Sequence, residues 1–142
     1  MPDNEPVNHV ERNRTIWDTW APGWLQRGED AWAKTEPCWG IHQIPESKVG
    51  LLERFSQGKV IELGCGTGYV SAWLSRLGGH PIGVDNSLAQ LSNAHQLQDR
   101  FDLSFPLVHA DAECLPFLDE SFDFAISEYG AAIWCDPYRW IP

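Results

Sequence analysis

The stretch Glu62-Leu63-Gly64-Cys65-Gly66-Thr67-Gly68 is the part of this sequence best suited to hold a ligand. It follows the β-prone run Val60-Ile61-Glu62-Leu63 and precedes a helical pattern. Glycines at such a handover let the backbone turn sharply and approach a ligand closely, and the helix start offers N–H groups to an anionic partner. The spacing is GxGxG. A dinucleotide fingerprint needs GxGxxG, and Tyr69 stands where its third glycine would be. Glu62 would repel a diphosphate but tolerates an ammonium, so a methionine-like moiety suits the loop better than a pyrophosphate. Asp85 lies 21 residues after Gly64, the separation at which a carboxylate reaches the two hydroxyls of a ribose. Asp111-Ala112-Glu113 offers a carboxylate and an amide that match an adenine amino group and ring nitrogen. Glu128 and Tyr129 follow a further β-prone run. These positions suit one nucleoside-bearing ligand.

Strands and helices in regular alternation must bring these residues together. Val70, Trp73, Leu74 and Leu77 fall on one helical face that Gly78-Gly79 ends. Pro81 opens a second strand, Ile82 to Asp85. Ser87 followed by Gln90 is a capping-box signal for a helix running toward Arg100. Leu107 to Ala110 and Phe122 to Ser127 read as strands three and four. Such alternation implies right-handed crossovers and a parallel sheet, so the expected fold is α/β and Rossmann-like, with helices on both faces and strand order 3-2-1-4. Ligands then bind at the carboxyl edge of the sheet, where all the acidic positions fall.

The first 57 residues read as helices and loops, a cap or lid segment ahead of a unit spanning 58–142. Ile16, Trp17, Trp20 and Trp24 recur at helical spacing, but Pro22-Gly23 argues against one continuous helix. A second helix is expected over Glu46 to Gln57, with Val49, Leu52 and Phe55 as its apolar stripe and Gly58 as its stop. Asp136-Pro137 resembles an N-cap and first helical residue with little chain after it. A doubly wound sheet normally has two halves, so the sequence reads as incomplete at its carboxyl end. The edge of strand four would then be unpaired and open to self-association.

Ten Lys and Arg against twenty Asp and Glu give a formal net charge of −10, which disfavours general nucleic-acid binding and docking on anionic membranes. No stretch approaches a membrane span, and Met1 to Arg14 carries no apolar signal core. Four dispersed cysteines (Cys38, Cys65, Cys114, Cys135) suit reduced thiols in a cytoplasm. The five histidines show no metal-ligand spacing, and no metal is expected. His95 leans to the buried side of its helix and His109 lies in a strand. His9 and His42, in the cap, are the weak candidates for a base, and the catalytic residues stay unassigned. Cys65 reads as a small residue that the loop requires, although a helix start could lower its pKa. The tryptophans read as core and lid, with Trp39 to His42 and Tyr129 to Trp134 facing the substrate.

The motifs ExGCGTG, GVDxS and DAExLPFxDxSFD, here Glu62 to Gly68, Gly83 to Ser87 and Asp111 to Asp123, resemble those of the class I S-adenosylmethionine-dependent methyltransferases. The resemblance covers roughly residues 59 to 142. It implies S-adenosyl-L-methionine as cofactor and methyl transfer to a small-molecule acceptor. It assigns Gly64, Gly66 and Gly68 to the methionine portion, Glu62 to the same end, Asp85 to the ribose, and Asp111 and Ala112 to the adenine; Cys65, Thr67, Asn86 and Glu128 complete the expected cofactor-binding set. Asn86 departs from the apolar residue that many relatives place against the adenine. Two other readings are an NAD(P)-dependent oxidoreductase, disfavoured by Tyr69 and Glu62, and an inactive fragment that at most binds cofactor.

Overall fold

The computed structural model describes residues 8–141. The start of the stretch read as lacking a signal core, up to residue 7, and Pro142 lie outside the described residues. Helix α1 (His9–Trp32) starts at Asn8, whose side chain accepts from Val10 N at 3.1 Å. It runs through Pro22 without a break, against the expectation of an interrupted helix. Proline inside a helix costs about 3 kcal/mol. Here Pro22 lies on the exposed face, and tertiary packing offsets the cost: Ala21, Gly28 and Trp32 are buried, and Asn93 Nδ2 donates to the Ala21 carbonyl at 2.7 Å.

A two-stranded antiparallel ribbon follows, β1 (Cys38–Trp39) and β2 (Ile44–Pro45). The single helix expected over residues 46–57 is instead two short ones, α2 (Glu46–Val49) and α3 (Leu51–Phe55). Gly50 separates them in the left-handed conformation (φ 65°), leaving Val49 exposed while Leu52 is fully buried.

The alternating part forms as read. Strand β3 (Lys59–Leu63), helix α4 (Tyr69–Arg76), strand β4 (His80–Asp85), helix α5 (Leu88–Phe101), strand β5 (Leu107–His109) and strand β6 (Phe124–Ile126) follow in order. Two one-turn helices, α6 (Ala131–Trp134) and α7 (Pro137–Trp140), come last. Asp136 caps α7 through Tyr138 N, as the Asp-Pro pair predicts. Ser87 Oγ caps α5 by accepting from Gln90 N at 3.1 Å. The sheet is parallel with order β5-β4-β3-β6, which is the expected 3-2-1-4.

Alternation along β3 assigns its two faces. Val60 packs with Leu52, Val70, Trp73 and Leu74 beneath α3 and α4. Trp32, Ala72, Leu97 and Phe105 join α1, α4 and α5 on that same side. Ile61 and Leu63 face the other way, onto Val84 and Ala131, with Leu115, Phe117, Phe122 and Trp140 packed around them. Helices therefore lie on both faces but unequally, the long ones together and only single turns opposite. Register aligns the strand tips, since Leu63 pairs with Val84, Asp85 with His109 and Glu62 with Ile126. No helix among the described residues is long and apolar enough to cross a membrane.

Candidate functional site

The aligned tips open into a cavity of about 360 Å³, roofed by one face of α1. Glu62, Gly64, Cys65, Gly66, Thr67, Asp85, Asn86, Asp111, Ala112 and Glu128 all line it. Gly68 does not. It is buried at the N-cap of α4 with φ 74°, and a Cβ there would meet Phe105 at 3.1 Å. Its glycine is needed for the turn and for that packing.

Glu62 is 3% exposed and works within the protein. Its Oε2 accepts from Ser71 N at 2.7 Å and Ser71 Oγ at 2.6 Å, and its Oε1 from Val70 N at 3.2 Å. These are the second and third amides of α4, so the helix start expected to offer open N–H groups is already capped by a carboxylate. Burial pushes Glu62 up to about 7, against the pull of the Ser71 and Val70 hydrogen bonds, and Glu128 adds to the rise. A diphosphate set on this helix start would meet an acid, whereas a cation would find a partner.

Asp85 joins two strand tips. Its Oδ2 accepts from Gly66 N at 2.7 Å and its Oδ1 from Ser87 N at 2.8 Å, which fixes both the glycine loop and the entry to α5. Burial raises its pKa, opposed by those amides and by His109. The thiol of Cys65 is pushed well above its usual value by burial, then by Asp85 and Glu62. That reverses the lowering a helix start could have caused and leaves Cys65 an inert small side chain. Tyr69 replaces the third glycine usefully, because its hydroxyl accepts from Cys38 N at 2.8 Å and donates to Cys38 O at 3.2 Å, pinning β1 beside the loop.

Helix α1 is fastened by Asn86 and Glu113, which the motifs contain without marking this role, and by residues of its own that no motif marks. Asn86 Oδ1 accepts from Arg14 Nε at 3.0 Å and Nη2 at 2.8 Å, while its Nδ2 donates to Val10 O at 3.0 Å. The polar Asn86 therefore holds the roof. Glu113, its side chain 1% exposed, accepts from His9 Nε2 at 2.6 Å and from Asp136 N at 2.8 Å, with Arg139 at 3.4 Å. Burial would raise the Glu113 carboxyl, but these partners, His9 foremost, outweigh it and hold it below its ordinary value. Asn13 Nδ2 donates to Trp134 O at 2.8 Å. Gly28 sets how closely the helix approaches, since a Cβ there would stand 2.9 Å from Thr67 and Leu97 atoms. The one signal for this face was periodicity: His9, Asn13, Trp17, Trp24 and Ala31 share a stripe along α1 and line the cavity.

Of the expected substrate-facing segments, Gly40, Tyr129, Gly130, Ala131 and Trp134 reach the wall, whereas Trp39, Ile41, His42, Ala132 and Ile133 do not. Trp39 donates instead to Glu46 Oε2 at 2.6 Å. Tyr129 keeps a left-handed backbone (φ 54°) where β6 leaves the sheet. His9 is the one histidine on the wall. His95, expected toward the core, is exposed and pairs with Gln98 at 3.0 Å, because the buried stripe of α5 runs through Leu91, Ala94 and Leu97. Asp111, Glu113 and Cys135 bring donor atoms within 4.8 Å of one another. Glu113 Oε1 already takes His9 and Asp136, Arg139 stands 3.4 Å from its Oε2, and burial with the nearby acids pushes the Cys135 thiol up to about 11.

Comparisons agree with this geometry. A demethylmenaquinone methyltransferase of Corynebacterium kroppenstedtii is 38% identical over 72 residues, 51% of this chain and 29% of that protein. A malonyl-[acyl-carrier protein] O-methyltransferase of Hamiltonella defensa is 34% identical over 80 residues, 56% of this chain and 29% of that protein. A solved structure concerned with conversion of a disulfide bond into a thioacetal group during echinomycin biosynthesis superposes with a TM-score of 0.58 at 30% identity, covering 84% of this chain and 48% of that one. The chain thus matches well under two thirds of each relative's length. The motifs, the sheet from Val60 onward and the five acids on the cavity wall fall inside residues 60–140, the span that matches the methyltransferase domain, and the chain belongs to that family.

Proposed function

We propose that this chain carries the S-adenosyl-L-methionine site of a methyltransferase acting on a small-molecule acceptor. The observation that carries the reading is the Glu62 carboxylate seated on the α4 amides. It places an acid where a dinucleotide would need free N–H groups, and it suits a ligand with a cationic amino-acid end. When bound, the cofactor would supply an electrophilic methyl carbon to a lone pair of the acceptor.

The chain's own residues would bind and orient. Asp85, anchored by Gly66 and Ser87, would accept from both ribose hydroxyls. Asp111 and Ala112 would meet the adenine, and Gly64, Cys65, Gly66 and Thr67 would leave room for the methionine portion. Glu62 and Glu128 would set a negative potential near its ammonium. Residues 1–57 would act as lid and 58–142 as the first part of the cofactor domain, with the outer edge of β6 placed to take a further strand. The Trp17, Trp24 and Trp134 rings on the wall would exclude water and align the acceptor.

A thermal melt with S-adenosylhomocysteine against NAD tests this. A hundredfold excess over Kd adds about 2.7 kcal/mol of stability. S-adenosylhomocysteine should raise the Tm and NAD should not. Stabilisation by NAD alone would reverse the assignment to a nicotinamide cofactor.

A further inference from the structure

We infer that the α1 wall of this cavity selects an acceptor that carries an anionic group on a flat apolar body. The inference rests on the methyltransferase reading and deepens it. The chain has a net charge of −10, yet three of its ten basic residues, Arg14, Arg27 and Lys34, line this one cavity. Arg14 is committed to Asn86.

The five carboxylates on the wall are also committed. Each accepts from at least one backbone amide, so they belong to the framework of strand tips. Arg27 and Lys34 differ, since neither makes an ion pair among the described residues. The Arg27 guanidinium lies over the Trp24 ring, 5.1 Å from its centroid. A guanidinium stacked this way keeps its in-plane N–H groups free for a carboxylate or phosphate. Lys34 donates to Gln43 Oε1, and its charge draws down the Glu128 carboxyl that burial raises, so it is the lesser of the two anchors.

An apolar surface lies on the same helix face. Trp17 and Trp24 stand 5.5 Å apart, and Trp17 meets Trp134 edge-on at 5.3 Å. Ala31 lies between Arg27 and Lys34 on the stripe and leaves space there. Arg27 lies on α1 and Lys34 just past its C-cap at Ala33, so the two cations stand at successive points of the wall. A planar body on the indoles with its anion at Arg27 matches this order of groups.

The test uses 2-naphthoate and its neutral isostere 2-naphthylmethanol, titrated calorimetrically into the full chain with and without S-adenosylhomocysteine. The acid should bind about tenfold more tightly than the alcohol. Arg27→Met should abolish that difference, Lys34→Met should reduce it two- to threefold, and Arg27→Lys should restore part of it. Affinity for S-adenosylhomocysteine should stay unchanged in Arg27→Met and Arg27→Lys. Equal binding of acid and alcohol to the wild type, or an acid preference that survives Arg27→Met, overturns the inference. Because the acid–alcohol comparison is also read without S-adenosylhomocysteine, failure of that ligand to bind counts against the cofactor reading alone.

Discussion

Replacing Asp85 by Asn removes one oxygen and one charge while keeping the shape. The wild-type carboxylate accepts from Gly66 N at 2.7 Å with one oxygen and from Ser87 N at 2.8 Å with the other. An asparagine can satisfy only one of these amides, and its NH2 group then faces the N–H of the other. A hydrogen bond to a charged group contributes about 1.5–3 kcal/mol. The variant should therefore lose about 2–3 kcal/mol of folding stability, read from the midpoint shift in urea at constant m. Affinity should fall separately, because the amide that remains cannot accept from both hydroxyls of a ribose. Losing one charge-assisted bond to the diol corresponds to about 10- to 100-fold weaker binding of S-adenosylhomocysteine by calorimetry. A folded Asp85→Asn protein that binds within twofold of wild type would refute the ribose assignment. Unchanged urea stability would refute the bridge between the two strand tips.

Two further outcomes follow from the site. The folded Glu62 carboxyl titrates at about 7 and its ordinary value is 4.5, so the folded protein retains a proton that the unfolded chain releases. Stability from this group is full below pH 4.5 and is lost as pH rises through about 7, at most about 3 kcal/mol; Glu62→Gln should flatten that slope in melts from pH 5 to 8, and an unaltered slope would show that another group titrates. Gly28→Ala gains about 1 kcal/mol of helix propensity, but its methyl would stand 2.9 Å from Thr67, a loop residue with little room to yield. Overpacking of about 1–3 kcal/mol should win, giving a lower Tm and faster amide exchange in α1, whereas a higher Tm would show that the helix can shift freely.

The alternating half of the fold was readable because each element carried its own local signal. Period-3.6 apolar residues, a capping pair at Ser87 and Gln90, and glycines after Leu63 and Leu77 all report structure within a few residues. The amino-terminal segment misled where long-range contacts decide. Pro22 signals a break, yet the packing of Ala21, Gly28 and Trp32 holds the helix together. Gly50 sits inside an apolar period that masks it, and only its backbone conformation shows the split. At the site, the ring of acids was legible from residue type and strand position. The partners of those acids were not: that Glu62 caps α4, that Asn86 fastens α1 and that Glu113 grips His9 depend on side chains meeting across 8, 72 and 104 residues.

The roof of the cavity has a consequence for how the chain folds. Helix α1 precedes the sheet in the chain, and Asn86, Glu113 and Trp134, which hold it, lie 72, 104 and 121 residues downstream of their partners. During synthesis the Trp32 end of α1 can pack once α4 and α5 exist, whereas Trp17 meets Trp134 only after the last strand, and contacts of such separation form slowly. The segment that completes the pocket is thus made before the sheet it roofs and is fully fastened only after β6, and through that interval its indoles are open to chaperones and to mispairing with other chains.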